Sequence, residues 1–340
     1  LVMSTFTGNT ELVRLDDRIG VDISKAANFD EVMSMAGFDF DVEKVPTHTP
    51  EGDEVPGHFL IRRSDTKQNF AVMRRRYAPI PMDQMFRPFH EMVQEFGATY
   101  EGAGLIDGGK KAWISAKLPN GFSLKSRPDD AVENRIMAFG TNDGTKRNAY
   151  FGMASRIFCN NQLRTIMQNA NESDYWISHT KNWENRLDQA KKGFHAALRG
   201  LASFEKIANQ LDKIKMTADE CRGFATLLLP EPERKKDEKG KDIEVRATSR
   251  ITNRREKIVD LFANGAGNLG ATRWDALNGL TEYVNHHNNI GKLEKGGRKA
   301  AERRMVSSLM GGPADQMMQR GLALLTDTKK FDKVKEVVEA

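Results

Sequence analysis

The sequence predicts an α+β protein, in which an antiparallel, hairpin-rich sheet packs on a long helix and a helical C-terminal region follows. Strand signals crowd together up to about residue 160 of the 340 residues, and "DGGK" and "NDGTK" mark two tight turns there. Apolar side chains then recur at steps of three or four between residues 183 and 211, which indicates a long amphipathic helix. The same helical spacing returns in several later segments.

The first half of the chain yields its elements in order. "FDEVMSMAGF" predicts a short helix that ends at Gly37, and "DFDVEKVPTH" predicts a strand. Apolar residues with helical spacing predict a helix in "MDQMFRPFHEMVQEFG". Three hairpins are expected, and they join "HFLIRRSD" to "NFAVMRRRYAPI", "ATYEGAGLI" to "KAWISAKLP", and "NRIMAFGT" to "RNAYFGMASRIF".

The second half is predicted to be helical. "TADECRGFATLLLP" is a helix with Thr217 as its N-cap and Pro230 as its stop. Further helices are expected in "NRREKIVDLFANG", "TRWDALNGLTEYVNHHNN", "GRKAAERRMVSSLMG", "PADQMMQRGLALL" and "KKFDKVKEVVEA".

Composition shifts divide the chain into four parts. We expect a flexible acidic lead-in over 1–27, a β-rich basic domain with the long helix over 28–214, a helical region over 215–326, and a C-terminal helix over 327–340. The segment 231–249 is polar and highly charged, so we expect a mobile loop there.

Charge is distributed unevenly along the chain. Residues 1–60 contain four Lys or Arg against twelve Asp or Glu, whereas residues 61–160 contain sixteen against ten. A basic body of this kind attracts polyanions, nucleic acid above all, and salt weakens that attraction. The structural alternative is that a basic surface is common and binds nothing in particular.

Several function classes find no support in the pattern. There is no run of about 18 apolar residues, so we expect no membrane span, and the N-terminus lacks the pattern of a signal peptide. Two cysteines, Cys159 and Cys221, exclude a disulfide framework and a cysteine-rich zinc site. A reducing location, the cytoplasm of a bacterial host cell, fits best.

An active site is not evident either. No phosphate-cradling "GxxxxGK" occurs, and Cys159 is expected to be a core residue. Glu282 and His286 are spaced to share a helix face next to His287, but further metal ligands are not spaced convincingly. We therefore expect no catalytic residues, no metal and no cofactor. An unrecognised enzyme site near Cys159, Asn160 and Asn161 stays open as an alternative.

Basic residues instead recur at the ends of successive hairpins, and aromatic residues lie among them. Such a surface can hold phosphates by charge and bases by stacking, as single-strand binders do. The candidate nucleic-acid-binding residues are Arg62, Arg63, Arg74, Arg75, Arg76, Tyr77, Lys110, Lys111, Trp113, Lys117, Lys146, Arg147, Tyr150 and Arg156.

Trp113 has two interpretations. It shares a strand face with Lys111 and Lys117, whereas Ala112, Ile114, Ala116 and Leu118 form the apolar face. Trp113 either stacks on a base or is core beneath the long helix, with its neighbouring lysines extending to solvent.

These segments resemble a known family. "GHFLIRRSDTKQNFAVMRRRYAPI", "GATYEGAGLIDGGKKAWISAKLP", "RIMAFGTNDGTKRNAYFGMASRIFCNNQL" and "HTKNWENRLDQAK" are similar to the phage and plasmid-like family called domain of unknown function 932, and "NRREKIVDLF" and "TRWDALNGLTEYVNHH" extend the resemblance over roughly residues 28–325. The resemblance implies a mobile-element setting but supplies no activity and no site residues. The layout of a basic sheet followed by a long helix is also similar to the phage single-strand annealing proteins of the Red-beta, RecT and Erf group.

The function expected first is a phage-type protein of DNA recombination that binds single-stranded DNA, anneals complementary strands and forms a ring or filament of identical subunits. The alternative is a mobile-element protein that inhibits a host enzyme or defence complex, with an acidic head that mimics nucleic acid.

Overall fold

The computed structural model describes residue 14 and residues 16–157, 161–165, 176–177, 179, 181, 184–231, 235–236, 242–243, 249–288 and 290–339. Within these ranges the chain is α+β, with antiparallel sheets and a helical C-terminal region, as the sequence predicts. Most of the predicted loop 231–249 lies outside the described residues.

A large antiparallel sheet forms the centre of the first half. Its strand order is β1-β5-β6-β8-β9-β10, with β7 added to β8 and β11 added to β9. The strands are β1 (Val21–Asp22), β5 (Thr99–Ile106), β6 (Lys111–Lys117), β7 (Phe122–Ser123), β8 (Ala131–Thr141), β9 (Asn148–Arg156), β10 (Asn161–Thr165) and β11 (Trp176–Ile177).

A second sheet of three strands contains the first predicted hairpin. It has the order β2-β3-β4, formed by β2 (Val42–His48), β3 (Glu54–Arg63) and β4 (Asn69–Arg74). A two-residue pair, β12 (Lys235–Lys236) with β13 (Asp242–Ile243), lies in the second half of the chain.

The helices agree closely with the apolar periodicity. They are α1 (Phe29–Met35), α2 (Met82–Glu95), α3 (Glu184–Lys213), α4 (Ala218–Leu228), α5 (Ser249–Asn264), α6 (Arg273–Glu282), α7 (Ile290–Leu309), α8 (Pro313–Thr326) and α9 (Thr328–Glu339). Thr217 caps α4 through a capping box with Glu220, which confirms the predicted start of that helix. A π-helical turn, Tyr283–His287, follows α6 directly.

One face of the large sheet contributes to a core that also contains residues of α1, α2 and α3. Ala112 and Ile114 of β6 are fully buried on this side. The ring of Phe194 in α3 lies 5.2 Å from the ring of Tyr150 in β9 and 5.9 Å from the ring of Phe89 in α2. The same core continues into the C-terminal helices.

The opposite face of the sheet, which carries Lys111, Trp113 and Lys117, is also covered. Trp113 is completely buried there, among Met137, Phe139 and Phe151 of the neighbouring strands. The helix that covers them is α7, through Met305 and its neighbours, and not the long helix α3. The sheet therefore lies between two helical layers.

The sequence predicts a flexible lead-in over 1–27, and in the structure the described part of it, residues 16–27, lies against the large sheet. Asp16 is 1% exposed and forms an ion pair at 2.8 Å with Arg135, which is fully buried in β8. Gln162 of β10 donates a hydrogen bond to the same carboxylate at 2.8 Å. A buried charge requires partners of this kind, so this segment is fixed against the sheet. Residues 1–13 and 15 lie outside the described residues.

Candidate nucleic-acid interface

The two Asp-Gly turns of the large sheet meet at one end of it. The backbone N–H of Asn142 donates to the carbonyl of Lys110 at 2.7 Å, and its side-chain amide donates to the carbonyl of Gly109 at 2.9 Å. Asn142 is fully buried between them. The tips of the β5–β6 and β8–β9 hairpins are thereby held side by side.

The small sheet lies across both tips. At the start of β4, the Gln68 amide donates to the carbonyl of Asp107 at 3.3 Å. At the other end of β4, Met73 and Tyr77 lie against Gly144, whose φ of +63° favours glycine. Arg74, Arg75 and Arg76 therefore lie near the β8–β9 tip.

Nine basic residues gather at this end of the fold, and we call them the basic turn surface. Arg74, Arg75 and Arg76 are exposed, and within the described residues they form no ion pair. The members are Lys44, Arg74, Arg75, Arg76, Lys110, Lys111, Lys146, Arg147 and Lys181. The predicted hairpin-end residues thus come together.

Sequence reasoning missed two members, Lys44 and Lys181, because each is an isolated lysine in its own segment. Lys44 donates to the carbonyls of Arg75 at 2.8 Å and Tyr77 at 2.6 Å. Desolvation lowers the pKa of Lys44, and the nearby charges of Lys181 and Arg75 lower it further. Like charges that destabilise one another in this way favour the binding of an anion.

Lys146 shows the same repulsion on the β8–β9 tip. Burial lowers its pKa, Arg164 and Lys111 add to that effect, and Asp315 opposes it. Arg164 itself pairs with the buried Asp315 at 2.6 Å. The positive potential therefore extends from β4 across this tip.

Carboxylates neutralise part of the surface. Lys111 forms an ion pair with Asp143, a side chain that is 6% exposed, and Asp143 also accepts from the Thr145 hydroxyl at 2.7 Å. Lys110 pairs with the exposed Asp107 at 3.1 Å. The Lys111 charge is thus committed inside the protein, whereas the Lys110 pair is accessible to solvent and to competing anions.

An aromatic pair lies beneath the arginine run. The rings of Tyr77 and His179 stack at 5.0 Å with an interplanar angle of 18°. Burial lowers the pKa of His179 to about 4 and raises the pKa of Tyr77. Both rings are therefore neutral near pH 7, and their faces contact each other.

Two of the predicted binding residues lie at the opposite end of the sheet. Lys117 is six residues along β6 from Lys111, or about 20 Å at the rise of a strand, and pairs with Glu133. Arg156 ends β9 and is 2% exposed, with both of its Nη groups and its Nε engaged by protein acceptors. The expectation that Arg156 contacts phosphate is corrected, because its guanidinium is buried and is bound by acceptors of the protein itself.

The two aromatic residues proposed for stacking are buried. Trp113 is fully buried, and Tyr150, 1% exposed, donates its hydroxyl to the carbonyl of Met85 at 2.5 Å. Neither side chain presents a ring face to solvent. Of the two interpretations of Trp113, the core position is therefore the one observed.

Arg62 and Arg63 occupy the small sheet. Arg62 pairs with Glu43 at 2.7 Å across β2 and β3. Arg63 donates to the carbonyl of Gly108 at 3.1 Å, pairs with Asp65 at 2.7 Å, and lies 3.9 Å from the ring centre of Phe40. Both arginines therefore help to hold the small sheet and its contact with the β5–β6 tip.

Most of the other residues considered as site candidates from the sequence are buried in the fold where the structure describes them. His286 is 2% exposed, and the Nε2 of His287 lies 3.4 Å from Glu282. Within the described ranges no group of three or more His, Cys, Asp or Glu side chains is placed to hold a metal ion. Asn161 is buried and donates to the carbonyl of Asn278 at 3.2 Å, whereas Cys159 and Asn160 lie outside the described residues. Burial raises the pKa of Cys221 to about 12, which leaves it an unreactive thiol.

An antiparallel sheet with both faces covered defines an α+β protein, and the comparison with family models is more specific. The model described as Domain of unknown function (DUF932) matches residues 69–310. The chain belongs to this family, and the resemblance seen in the sequence is confirmed over that range. No curated protein and no solved structure matches it. None of the helices in the described part of the chain is long and apolar enough to span a membrane.

Proposed function

We propose that the protein binds single-stranded DNA through the basic turn surface and anneals complementary strands during recombination of a phage or related element in a bacterial cytoplasm. The observation that carries the proposal is the exposed run Arg74–Arg76, which lies beside the β8–β9 tip and is free of ion pairs among the described residues. Three adjacent guanidinium groups bind several consecutive phosphates of a strand.

Two features favour a strand over a compact anion. The basic turn surface runs from Lys181 and Lys44 through Arg75 to Lys146 and Lys110, so its charges are spread along the turn end and do not converge on one point. Annealing needs no cofactor, because neutralising phosphates removes the repulsion between two complementary strands.

A homo-oligomer, a ring or a filament, belongs to the same proposal. The outer face of the small sheet aligns Val45, Leu60 and Val72 across its three strands, and Val72 is 54% exposed. The outer strands β2 and β4 also leave an edge, and a neighbouring subunit is one way to cover it.

The test compares two triple variants with equal loss of charge. R74Q/R75Q/R76Q removes the arginine run, and K329Q/K333Q/K335Q removes three exposed lysines from α9 as the control. Fluorescence anisotropy with a labelled single strand is measured between 50 and 200 mM salt. We expect the arginine variant alone to lose at least tenfold in affinity and its salt slope to shrink by about 2, which corresponds to about 0.7 per lost phosphate contact.

Two results contradict the proposal. Equal losses in both variants mean that net charge and not the basic turn surface attracts DNA, and an affinity that does not change with salt excludes phosphate binding as its basis. Electron microscopy with and without single-stranded DNA tests the oligomer, because a monomer in both states contradicts a ring or filament. A fluorescence-quenching assay with complementary strands tests annealing directly.

One observation favours the second candidate, an inhibitor of a host enzyme or defence complex. Four carboxylates, those of Asp30, Asp39, Asp41 and Asp83, line a cavity of about 500 Å³ next to Phe40. Closely spaced carboxylates beside apolar surface can imitate the phosphates and bases of nucleic acid. Two results together favour this candidate over the first. The protein binds a nucleic-acid enzyme and D39N/D41N abolishes that binding, and its affinity for DNA does not change with salt concentration.

A further inference from the structure

A second basic feature lies away from the basic turn surface, between the first turns of α5 and the π-helical turn. Here two elements border an open cavity of about 440 Å³, a volume within the range of about 300–1,000 Å³ typical of small-molecule sites. Its wall is formed by Ser249, Arg250, Asn253, Arg254, Lys257, Tyr283, His287 and Asn288. None of these residues belongs to the basic turn surface.

The wall of this cavity is strongly cationic. Arg250, Arg254 and Lys257 follow one another at spacings of four and three residues, so they lie on one face of α5. None of the wall residues is acidic. Lys257 pairs with Asp260 at 2.7 Å at the rim, whereas no carboxylate of the described residues lies within ion-pair distance of Arg250 or Arg254.

Arg254 is held in a fixed orientation. Its Nε donates to the hydroxyl of Tyr283 at 2.7 Å, and Tyr283 is 3% exposed. The two Nη groups of Arg254 have no hydrogen-bond partner within the described residues. These groups form the planar donor pair with which an arginine binds two oxygens of one phosphate.

The second wall of the cavity is the π-helical turn, and hydrogen bonds hold it in place. The π-helical turn ends with a hydrogen bond of 2.7 Å from the N–H of Asn288 to the carbonyl of Tyr283. His287 is anchored by the approach of its Nε2 to Glu282 at 3.4 Å, and Glu282 also accepts from the N–H of Ala266 at 3.0 Å. Isolated π-helical turns occur frequently at functional sites.

A solvated basic helix face does not account for this geometry. Such a face is convex and belongs to one element, whereas here two elements border a concave space, and their described wall residues supply only positive and neutral side chains. We propose that the cavity binds a phosphorylated ligand of mononucleotide size, with Arg250 and Arg254 on the phosphate and Asn253, His287 and Asn288 around the remainder.

The test uses the full chain in isothermal titration calorimetry with inorganic pyrophosphate, dAMP and deoxyadenosine as probes. We expect pyrophosphate and dAMP to bind and deoxyadenosine not to bind. R250Q/R254Q should weaken binding at least tenfold. R222Q is the single-charge control, because Arg222 is an exposed helical arginine outside the cavity whose ion-pair partner among the described residues is Asp219.

The single variant R250Q keeps the test valid if the double variant does not fold. Arg250 is exposed and makes no ion pair within the described ranges, so its replacement should not disturb the fold. A several-fold loss in this single variant, with an unchanged melting temperature, supports the site. Absence of heat from both phosphate probes with the parent protein overturns the proposal, and so does equal binding by R250Q/R254Q and R222Q.

A further comparison identifies the source of the phosphate. Oligonucleotides with a 5′-phosphate or a 5′-hydroxyl are compared on the parent and on R250Q/R254Q. A preference for the 5′-phosphate that the variant loses assigns the cavity to a strand end, whereas dAMP binding without that preference assigns it to a free nucleotide. Pyrophosphate binding to the cavity is measured without the R74Q/R75Q/R76Q variant. A negative result for the cavity therefore does not decide whether the basic turn surface binds single-stranded DNA, which that variant tests separately.

Discussion

The guanidinium of Arg156 donates to both carboxylate oxygens of Asp130, at 2.6 Å each, and both side chains are 2% exposed. The same arginine donates to the carbonyl of Gly267 at 2.7 Å and to the side chain of Asn268 at 2.8 Å. Trp274 of α6 completes the arrangement by donating to Asp130 at 3.0 Å. This pair therefore connects the end of β9 to the helical region.

R156Q is expected to lower the free energy of unfolding by about 3–5 kcal/mol, because it leaves the buried carboxylate of Asp130 without its counter-ion. Urea denaturation measures the loss. R222Q, which breaks an exposed pair with Asp219, should cost less than about 1 kcal/mol. A change below about 1 kcal/mol in R156Q, accompanied by weaker DNA binding, would return Arg156 to the surface role expected from sequence.

W113A is expected to destabilise the protein by about 3–5 kcal/mol, the usual cost of truncating a large buried aromatic side chain. The indole is fully buried and packs closely on Gly20 and Gly104, where a Cβ atom would lie 2.6 Å and 3.1 Å from it. W113F should cost less, because it keeps part of the volume between the sheet and α7. If W113A instead melts at the parent temperature and binds DNA more weakly, Trp113 is not core.

The elements were predictable because each depends on local signals. The Asp-Gly turns, the apolar spacing of α3 and the Thr217 cap all lie within a few residues of the structure they specify. Trp113 was harder to place because its strand face carries Lys111 and Lys117 at the two ends, and the α7 residue that covers the indole, Met305, is distant in sequence.

The candidate site was predictable only where residues are basic and also lie next to a turn in the sequence. Arg74–Arg76 and Lys110 satisfy both conditions and are found at the turn end of the fold. Arg156 was misassigned because its partner Asp130 and the loop around Gly267 are not near it in sequence. Lys181 was missed because only tertiary packing brings it near Lys44.

Lys110 and Lys111 are expected to respond differently to the loss of charge. K111Q leaves Asp143, which is 6% exposed, without its cation, and should cost about 1–3 kcal/mol of unfolding free energy, between the values for exposed and buried pairs. K110Q breaks an exposed pair and should leave stability within about 1 kcal/mol while weakening DNA binding. Urea unfolding and anisotropy on both variants check this. Equal stability losses would show that the two pairs are equally accessible to solvent.

His179 is expected to make the stability of the protein fall as the pH drops from about 6.5 to about 4. Burial lowers its pKa from 6.5 to about 4 in the folded protein, so over this range the unfolded chain binds a proton that the folded protein does not. Its contribution is fully present above pH 6.5 and is lost as the pH falls towards 4. The difference between the two pKa values corresponds to about 3 kcal/mol at most.

H179F keeps an aromatic ring against Tyr77 but cannot titrate, so its unfolding free energy should vary less between pH 6.5 and 4 than that of the parent. Urea unfolding at half-unit pH intervals measures the difference. The lowered pKa of His90 affects both proteins equally, and Asp16 and Asp275, whose pKa values are also lowered, lose their contributions below about pH 4. Parallel curves for parent and variant across this window would mean that His179 is protonated in the folded state and that the stack on Tyr77 does not exclude water.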